Sequence, residues 1–330
     1  MSLRSDALAI FRASLAAADP VKAVERFVGL QGDTISVAAR KYDLDRFERV
    51  FVLGAGKASA AMAKAIEQIL GRRITAGLVS TKYGHGVPLR HIQIHEAGHP
   101  VPDASGVEGA RRIAALAGQA GARDLVIFLI SGGASALTPF PVKPITLAEK
   151  QRTTKLLLDC GANIHEINAV RKHISAFKGG QLARLAAPAT VVTLMLSDVI
   201  GDSMDVIGSG PTVPDRSTFG DAVAILAKFD LLARVPASVR RRLEQGGEET
   251  PKPGDQIFSK TQNLVVGSNR LVVDAAAAHA KAMGYRTLVL STFIAGETRD
   301  VARMHAAIVK EVRASHRPVR APALPAAVRP

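Results

Sequence analysis

The chain has 330 residues, of which 47% are hydrophobic, and this composition is ordinary for a globular protein and argues against extensive disorder. No apolar run reaches the roughly 18 uncharged residues of a membrane helix, and Arg4, Asp6 and Arg12 interrupt the region where a signal peptide would be apolar, so we expect a cytoplasmic protein without membrane contact. A net charge of +14 would suit nucleic-acid binding, but aromatic residues make up only 4% of the chain, so surfaces for base stacking are scarce and we expect no nucleic-acid partner.

Hydrophobic periodicity predicts strands that alternate with helices. A helix over 5–18 with Ser5 as its cap comes first, and a second begins at Asp19-Pro20 and ends near Val28. Predicted strands cover residues 34–39, 49–53, 76–81, 91–96, 124–130, 190–197, 263–267 and 286–291. Predicted helices cover an alanine-rich stretch that ends near Leu70, then 105–120, 146–159, 164–176, a stretch from Asn269 to about Met283, and 298–314. This alternation indicates an α/β fold with a Rossmann-like, mostly parallel sheet flanked by helices.

A polar segment suggests a domain boundary. Residues 246–262, GGEETPKPGDQIFSKTQ, contain Gly and Pro and are typical of a linker or a long surface loop. We therefore expect an N-terminal domain over 1–245 and the start of a second, smaller α/β domain over 263–316. The remaining residues, 317–330, are proline-rich and lack periodicity, which predicts an irregular tail.

The first candidate site is Gly54-Ala55-Gly56-Lys57-Ala58-Ser59, where a predicted strand leads into a helix. The free N–H groups at a helix start favour an anion, and Lys57 can supply positive charge to a transferring phosphoryl group. A P-loop would need other residues where Phe51 and Ala58 stand. A dinucleotide site would need an acidic residue near Thr81. The alternative is a tight structural turn with an exposed lysine.

A second candidate, Ser131-Gly132-Gly133-Ala134-Ser135, follows another apolar strand. It lies at the carboxyl edge of the predicted sheet, where open α/β proteins bind ligands, and its hydroxyl and N–H groups suit phosphate or carboxylate oxygens. A serine nucleophile is the competing interpretation, but the Gly-x-Ser-x-Gly pattern is absent.

The loop from Ser197 to Asp215 is the third candidate, because it holds four carboxylates and three glycines after a strand. Carboxylates at a strand end suit Mg²⁺ binding or the orientation of an attacking hydroxyl. We expect Asp198 to be functional, with Asp198 and Asp202 as metal ligands. The alternative for Asp202, Asp205 and Asp215 is that they cap turns.

The fourth candidate lies on the predicted helix 164–176 and the turn after it. Asn168, Arg171 and Lys172 fall at helical spacings on one side, and Lys178 stands in the following turn. These residues could form a cationic wall that binds an anion. Such charge runs are also common on solvated helix faces.

Five segments together resemble the class II glycerate kinases, the MOFRL-containing glycerate 2-kinases. They are GAGKASAAMA, EAGHPVPD, SGGASAL, INAVRKHISAFKGGQLA and LSDVIGDSMDVIGSGPTVPD, and the resemblance covers residues 5 to about 316. It implies a two-domain α/β enzyme that uses ATP and Mg²⁺ to phosphorylate D-glycerate, typically to 2-phosphoglycerate. It also implies that Lys57 contacts phosphate and that Asp198 orients or deprotonates the substrate hydroxyl. A homo-oligomer remains open.

The end of the chain departs from the pattern of this family. The family normally continues for a further segment that completes the second domain, whereas this chain departs from the pattern after about Pro322. We therefore expect an incomplete second domain and weak or no kinase activity. Two alternatives stay open: an NAD(P)H-dependent hydroxypyruvate reductase, and a ligand-binding form without turnover.

Overall fold

The computed structural model describes residues 2–315 and contains two β-sheets. The strands are β1 Val28–Gln31, β2 Thr34–Val37, β3 Arg40–Asp43, β4 Arg49–Ala55, β5 Ala76–Lys82, β6 Gln93–Ala97, β7 Asp124–Ser131, β8 Thr190–Leu196 and β9 Thr261–Gly267. The helices are α1 Leu3–Ala17, α2 Pro20–Glu25, α3 Ser59–Leu70, α4 Ala104–Ala117, α5 Ala134–Leu137, α6 Leu147–Asp159, α7 Ile164–His173, α8 Gln181–Ala186, α9 Phe219–Lys228, α10 Ala237–Gln245, α11 Asn269–Ala282 and α12 Thr298–Ser315.

The larger sheet has six strands in the order β6-β5-β4-β7-β8-β9, and every neighbouring pair is parallel. All eight residues of β7 are buried, which explains why its sequence is an almost continuous apolar run. The predicted α/β fold with a mostly parallel sheet is confirmed. Because all six strands run the same way, the loops after β4, β7 and β8 meet at one edge.

Helices cover both faces of this sheet. Alternate residues of β4 point to opposite faces, so Val52 packs with Met62 of α3 while Leu53 packs with Ile113 of α4. A third hydrophobic cluster joins α6, α7, α9 and α10 into a helical layer. This layer matters for function because α6 and α7 carry cationic side chains. Among residues 2–315, no helix is long and apolar enough to cross a membrane.

The smaller sheet is antiparallel and consists of β1, β2 and β3. The prediction found only its middle strand, because VGLQ and RKYD are four residues each, too short for a clear alternation, and RKYD is largely exposed. The Tyr42 hydroxyl of β3 donates a hydrogen bond of 2.5 Å to Gln262 Oε1 in β9. The small sheet is therefore tied to an edge strand of the large one.

The predicted domain boundary differs from the structure. The strand β9 pairs in parallel with β8 and belongs to the main sheet, and Val266 is buried in the same core as β4. One compact unit extends through Leu288, and a second begins at Val289 and includes α12. The polar residues 246–260 are thus a surface connection within one unit, because the strand after them completes the sheet before them.

Two further predictions differ. No strand forms at 286–291 within the described residues, since a strand needs a hydrogen-bonded neighbour and these residues have none there. Ser2, not Ser5, caps α1, and its side chain accepts the Ser5 N–H at 3.2 Å. The predicted tail 317–330 lies outside the described residues.

Candidate active site

The backbone N–H groups of the turn after β4 donate hydrogen bonds to other residues of the protein. The Gly56 N–H donates to Ser80 O at 3.0 Å, the Lys57 N–H to Gly132 O at 2.9 Å, and the Ala58 N–H to Ser131 Oγ at 3.0 Å. These N–H groups are therefore already satisfied. They hold the turn against its neighbours on the sheet edge, and they are not free to surround a phosphate.

Several residues predicted to bind phosphate pack this turn. A Cβ on Gly54 would lie 2.7 Å from Leu129 O, and one on Gly56, whose φ is +136°, would lie 2.1 Å from Ser131 Oγ. The Ser59 hydroxyl is buried and donates to Gly56 O at 2.7 Å. Gly54, Gly56, Ser59 and Ser131 thus pack this turn in the structure, and the binding role predicted for them stays a prediction.

Lys57 and Asp198 face each other at the carboxyl edge of the sheet. The Lys57 Nζ lies 4.0 Å from Asp198 Oδ2, and their side chains are 43% and 58% exposed. The contact depends on Gly132, because a Cβ at that position would lie 1.9 Å from Asp198 Oδ2. Two residues that the sequence places 141 positions apart are therefore adjacent, with open space in front of them.

A cavity of about 440 Å³ begins at Asp198. Its lining includes the predicted site residues Gly132, Gly133, Ser135, Asn168, Arg171 and Asp198. It is bounded by the loops after β7 and β8 on one side and by α7 on the other. The second and fourth candidate segments thus meet in one site.

Asn168 presents a buried amide to this cavity. Its Oδ1 accepts a hydrogen bond from Ser209 Oγ at 2.9 Å, which fixes the orientation of the side chain. Its Nδ2 is buried and has no hydrogen-bond partner among the described residues. A buried donor without a partner is costly, so this amide suits a ligand oxygen.

Arg171 links this cavity to a second one of about 740 Å³, which shares Gly133, Ser135 and Arg171. The guanidinium donates to Ser135 Oγ, which lies 2.8 Å from Ser209 Oγ. Its Nε is buried and unpartnered within residues 2–315. The two cavities therefore meet at a cationic, hydroxyl-lined wall.

Lys172 does not face the cavities. Its buried Nζ lies 3.2 Å from Asp215 Oδ1 and 3.3 Å from Asp205 Oδ2. The predicted ligand role of Lys172 is therefore replaced by a buried ion pair that ties α7 to the acidic loop. Neighbouring positions on a helix point about 100° apart, which is why Arg171 reaches the cavity and Lys172 does not.

Lys178 and Asp202 lie outside the cavity lining. Lys178 is fully buried behind it, and its Nζ donates to Ser135 O at 3.1 Å. Asp202 stands in the loop after β8 with a φ of +53°, and its N–H donates to Val199 O at 3.1 Å. Only Asp198 of the two predicted metal ligands lines the cavity.

The sequence-based site omitted His99 and Lys150. The His99 ring lies against Gly133, where a Cβ would be 2.9 Å from His99 Nε2. Burial, together with the charges of Lys57 and Lys82, lowers the pKa of His99 below its ordinary value. His99 lies within the EAGHPVPD segment of the sequence. Lys150 lies in α6 three residues before Thr153 and seven before Leu157, so the three share one helix face, and both of the others are buried. That spacing could have indicated an inward-facing lysine.

Comparisons with known proteins identify the family. Residues 6–244 match the family described as a domain of unknown function, DUF4147. The chain is 39% identical to a Pyrococcus horikoshii protein named glycerate 2-kinase, over 98% of this chain and 72% of that protein. It is 45% identical to an Agrobacterium vitis protein named putative hydroxypyruvate reductase, over 84% of this chain and 62% of that protein.

A solved structure agrees with these relatives. The crystal structure of a glycerate kinase from Thermotoga maritima matches with a TM-score of 0.81 and 39% sequence identity. The match covers 98% of this chain and 72% of that structure. Fold, sequence and cavity-lining motifs point the same way, and the chain belongs to the glycerate kinase family that contains this domain.

Proposed function

We propose that this protein transfers the γ-phosphoryl group of ATP to a hydroxyl of D-glycerate, with 2-phosphoglycerate as the product. The observation that carries the proposal is the approach of Lys57 and Asp198 to 4.0 Å at the mouth of a cavity whose lining includes Asn168, Arg171 and three serines. Phosphoryl transfer needs positive charge near the transferring group and an oriented hydroxyl more than it needs covalent catalysis. This pair supplies both.

Lys57 and Asp198 divide the chemistry between them. The Lys57 ammonium offsets negative charge on the transferring phosphoryl group. The Asp198 carboxylate accepts a hydrogen bond from the glycerate hydroxyl and takes its proton as the new P–O bond forms. The hydroxyl oxygen attacks the γ-phosphorus, the bond between that phosphorus and the β,γ-bridging oxygen breaks, and ADP leaves with that oxygen.

The wall formed by α7 suits the acid group of the substrate. The free Nδ2 of Asn168 and the guanidinium of Arg171 are donors that line the same cavity as Asp198. A small hydroxy acid has its carboxylate next to its hydroxyl, so both ends can be held at once. Guanidinium groups bind carboxylates well because their paired N–H groups match the two oxygens.

Mg²⁺ is the metal that the resemblance implies, and the residues fit it. The Asp198 carboxylate is exposed, and its one ion pair in the described residues is the 4.0 Å approach of Lys57. Within those residues no group of three or more His, Cys, Asp or Glu side chains forms a complete metal site. Magnesium in kinases binds through one or two carboxylates plus phosphate oxygens, so Asp198, the predicted ligand that lines the cavity, would hold it. When bound, Mg²⁺ supplies charge neutralisation on the phosphates.

The reductase named among the relatives is the second candidate function. In the turn after β4, the Gly56, Lys57 and Ala58 N–H groups are bound internally and cannot hold a dinucleotide pyrophosphate. This contact pattern favours the kinase over a Rossmann-type reductase. Loss of NADH absorbance with hydroxypyruvate would support the reductase instead.

A coupled assay of ADP release tests the proposal with D-glycerate, ATP and Mg²⁺. Lys57→Met and Asp198→Asn should each lower kcat by about 10²-fold or more, because they remove the charge or the proton acceptor. Lys64→Met, which changes an exposed lysine of α3, should leave kcat unchanged. Equal activity in the wild type and both site variants would contradict the assignment.

The match to the Pyrococcus horikoshii relative covers 72% of that protein. The same assay on that relative gives a reference value of kcat for this chain. Phosphorus and proton NMR of the product would distinguish 2-phosphoglycerate from 3-phosphoglycerate.

A further inference from the structure

Three cationic side chains converge beneath the larger cavity. Lys150 of α6 is 3% exposed, and Lys178, in the turn after α7, is 0% exposed. Arg171 lies with them, and its Nε is buried. Lys178 and Arg171 are bridged by Ser135, which accepts from Arg171 through its hydroxyl and from Lys178 Nζ through its carbonyl.

No carboxylate neutralises this cluster within residues 2–315. No ion pair of these described residues involves any of the three side chains, and no hydrogen bond found among them involves the Lys150 Nζ. Asp159 also lines the cavity, but it pairs with Lys155 at 2.9 Å. Each member of the cluster that is protonated therefore carries a buried positive charge without a carboxylate partner.

Such an arrangement opposes protonation of its own members. Burial, reinforced by Arg171, lowers the pKa of Lys150 to about 7. Burial and the two neighbouring cations also lower the pKa of Lys178 well below its ordinary value, and burial lowers that of Arg171 to about 10. Buried charges are normally paired, and unpaired ones are kept mainly where a ligand uses them.

Lys172 shows the contrasting case in the same region. It is equally buried at 3% exposure, yet two carboxylates, Asp205 and Asp215, lie within 3.3 Å of its Nζ. The fold thus provides counter-charges where a buried lysine serves structure. Lys150 has none, and its side chain lines an open cavity.

The cavity can hold a ligand against these cations. Its volume of about 740 Å³ is bounded by Lys150 and Arg171 on one side and by residues 99–102 on the other. The Gln151 side chain donates to Pro102 O at 2.6 Å and holds this loop against α6. Residues 99–102 thus cover part of the cationic wall, and an ionic contact is stronger where protein atoms displace water.

We propose that Lys150 and Arg171, supported from behind by Lys178, form a site for an oxyanion of the substrates, and that Lys150 determines affinity for it. The oxyanion is the carboxylate of the hydroxy acid or a phosphate of the nucleotide. The identity of the ligand rests on the proposed function, whereas the charge argument does not. An oxyanion bound in this site pairs with cations for which the described residues provide no carboxylate.

The test compares Lys150→Met with Lys64→Met in the full chain. Thermal melts with D-glycerate, ATP or sulfate added separately report binding without turnover, and steady-state kinetics give KM for each substrate. Lys150→Met should melt at or above the wild-type temperature, because it removes an unpaired buried charge. It should weaken binding of one substrate, or raise its KM, about 10- to 100-fold. Lys64→Met should change neither.

Separate measurements with D-glycerate and with ATP distinguish the two sources of the oxyanion. A selective loss for D-glycerate assigns the carboxylate, a selective loss for ATP assigns a phosphate, and both results support the site. Unchanged binding and KM for both substrates would overturn it, and so would a wild-type chain that binds none of the three probes. A large drop in melting temperature in both Lys150→Met and Lys150→Gln would also overturn it, because the charge would then serve the fold. Oxyanion binding that depends on Lys150 in a chain without kinase activity would support the site and contradict the proposed function.

Discussion

At the residue scale, Gly132 decides where the carboxylate of Asp198 can lie. The glycine has no side chain at a point where a Cβ would come within 1.9 Å of Asp198 Oδ2. Its φ is not in the left-handed region, so alanine is compatible with the backbone. The position is therefore constrained by the neighbouring carboxylate and not by backbone conformation.

Gly132→Ala tests this constraint. We expect kcat for ADP release to fall about 10²-fold, because displacement of a catalytic group by about 1 Å has that effect. The melting temperature should change little, since Asp198 is exposed. Gly118→Ala is the matched control, because a Cβ there meets nothing closer than 3.4 Å. Normal kcat in Gly132→Ala would show that Asp198 does not need its observed position.

Lys172 carries the opposite prediction, for stability. Lys172→Met should lower the free energy of unfolding by about 3–5 kcal/mol, because it leaves the buried carboxylate of Asp215 without its partner. Urea unfolding measures the change. The exposed pair of Arg270 with Asp274 provides the comparison, and Arg270→Met should cost less than about 1 kcal/mol. Similar values for both variants would contradict a structural role for Lys172.

At the scale of elements, an ion pair joins the starts of β4 and β7. The Asp124 carboxylate is 2% exposed. It accepts hydrogen bonds from Arg49 Nη2 at 2.6 Å and from the Gly121 N–H at 2.6 Å. Burial alone would raise the pKa of Asp124, but these donors outweigh it and lower the pKa below its ordinary value. The two central strands are thus linked by a group whose contribution depends on pH.

The sign of this dependence follows from the lowered pKa. Stabilisation by Asp124 is present above its unfolded pKa of about 3.9 and is lost as the pH falls through the lower folded value. Asp124→Asn should therefore reduce the free energy of unfolding by about 1–3 kcal/mol at pH 7, and the difference from wild type should shrink below about pH 4. Asp274→Asn, at an exposed pair, should show almost no difference at either pH. A gap that persisted at low pH would contradict the role of the ionised carboxylate.

At the scale of the whole molecule, β9 places the C-terminal part of the compact unit that ends at Leu288 in the main sheet. It pairs with β8 from Val191 to Leu196, and Val266 is buried in the core beneath the sheet. Residues 1–245 therefore lack an outer strand of their own sheet. The polar connection before β9 resembles a domain linker in composition but does not separate two cores.

A fragment of residues 1–245 should not fold cooperatively, because the edge of β8 and apolar core surface would be exposed. A fragment ending at Leu288 includes β9 and α11 and should unfold in a single transition. Circular dichroism during urea unfolding compares the two. Equal cooperativity in both fragments would restore the boundary that composition predicted at 246–262.

The sequence by itself determined the class of fold and the edge that carries the site. Strand periodicity is local, since alternating or continuous apolar residues report burial of one or both faces wherever the strand lies in the sheet. The parallel strands β4, β5, β6, β7 and β8 were predicted close to their observed bounds. Because loops after parallel strands share an edge, the convergence of Lys57, Gly132 and Asp198 on one edge was predictable as well.

The tertiary structure alone decided which of the candidate residues face a ligand. Arg171 and Lys172 are adjacent in sequence, yet one lines both cavities and the other pairs with Asp215. The helical spacing of Lys150 could have indicated that it faces inward, but only the fold places it near Arg171 and Lys178. Composition and spacing record the type of each side chain, whereas its function depends on burial and on the charges that distant segments place around it.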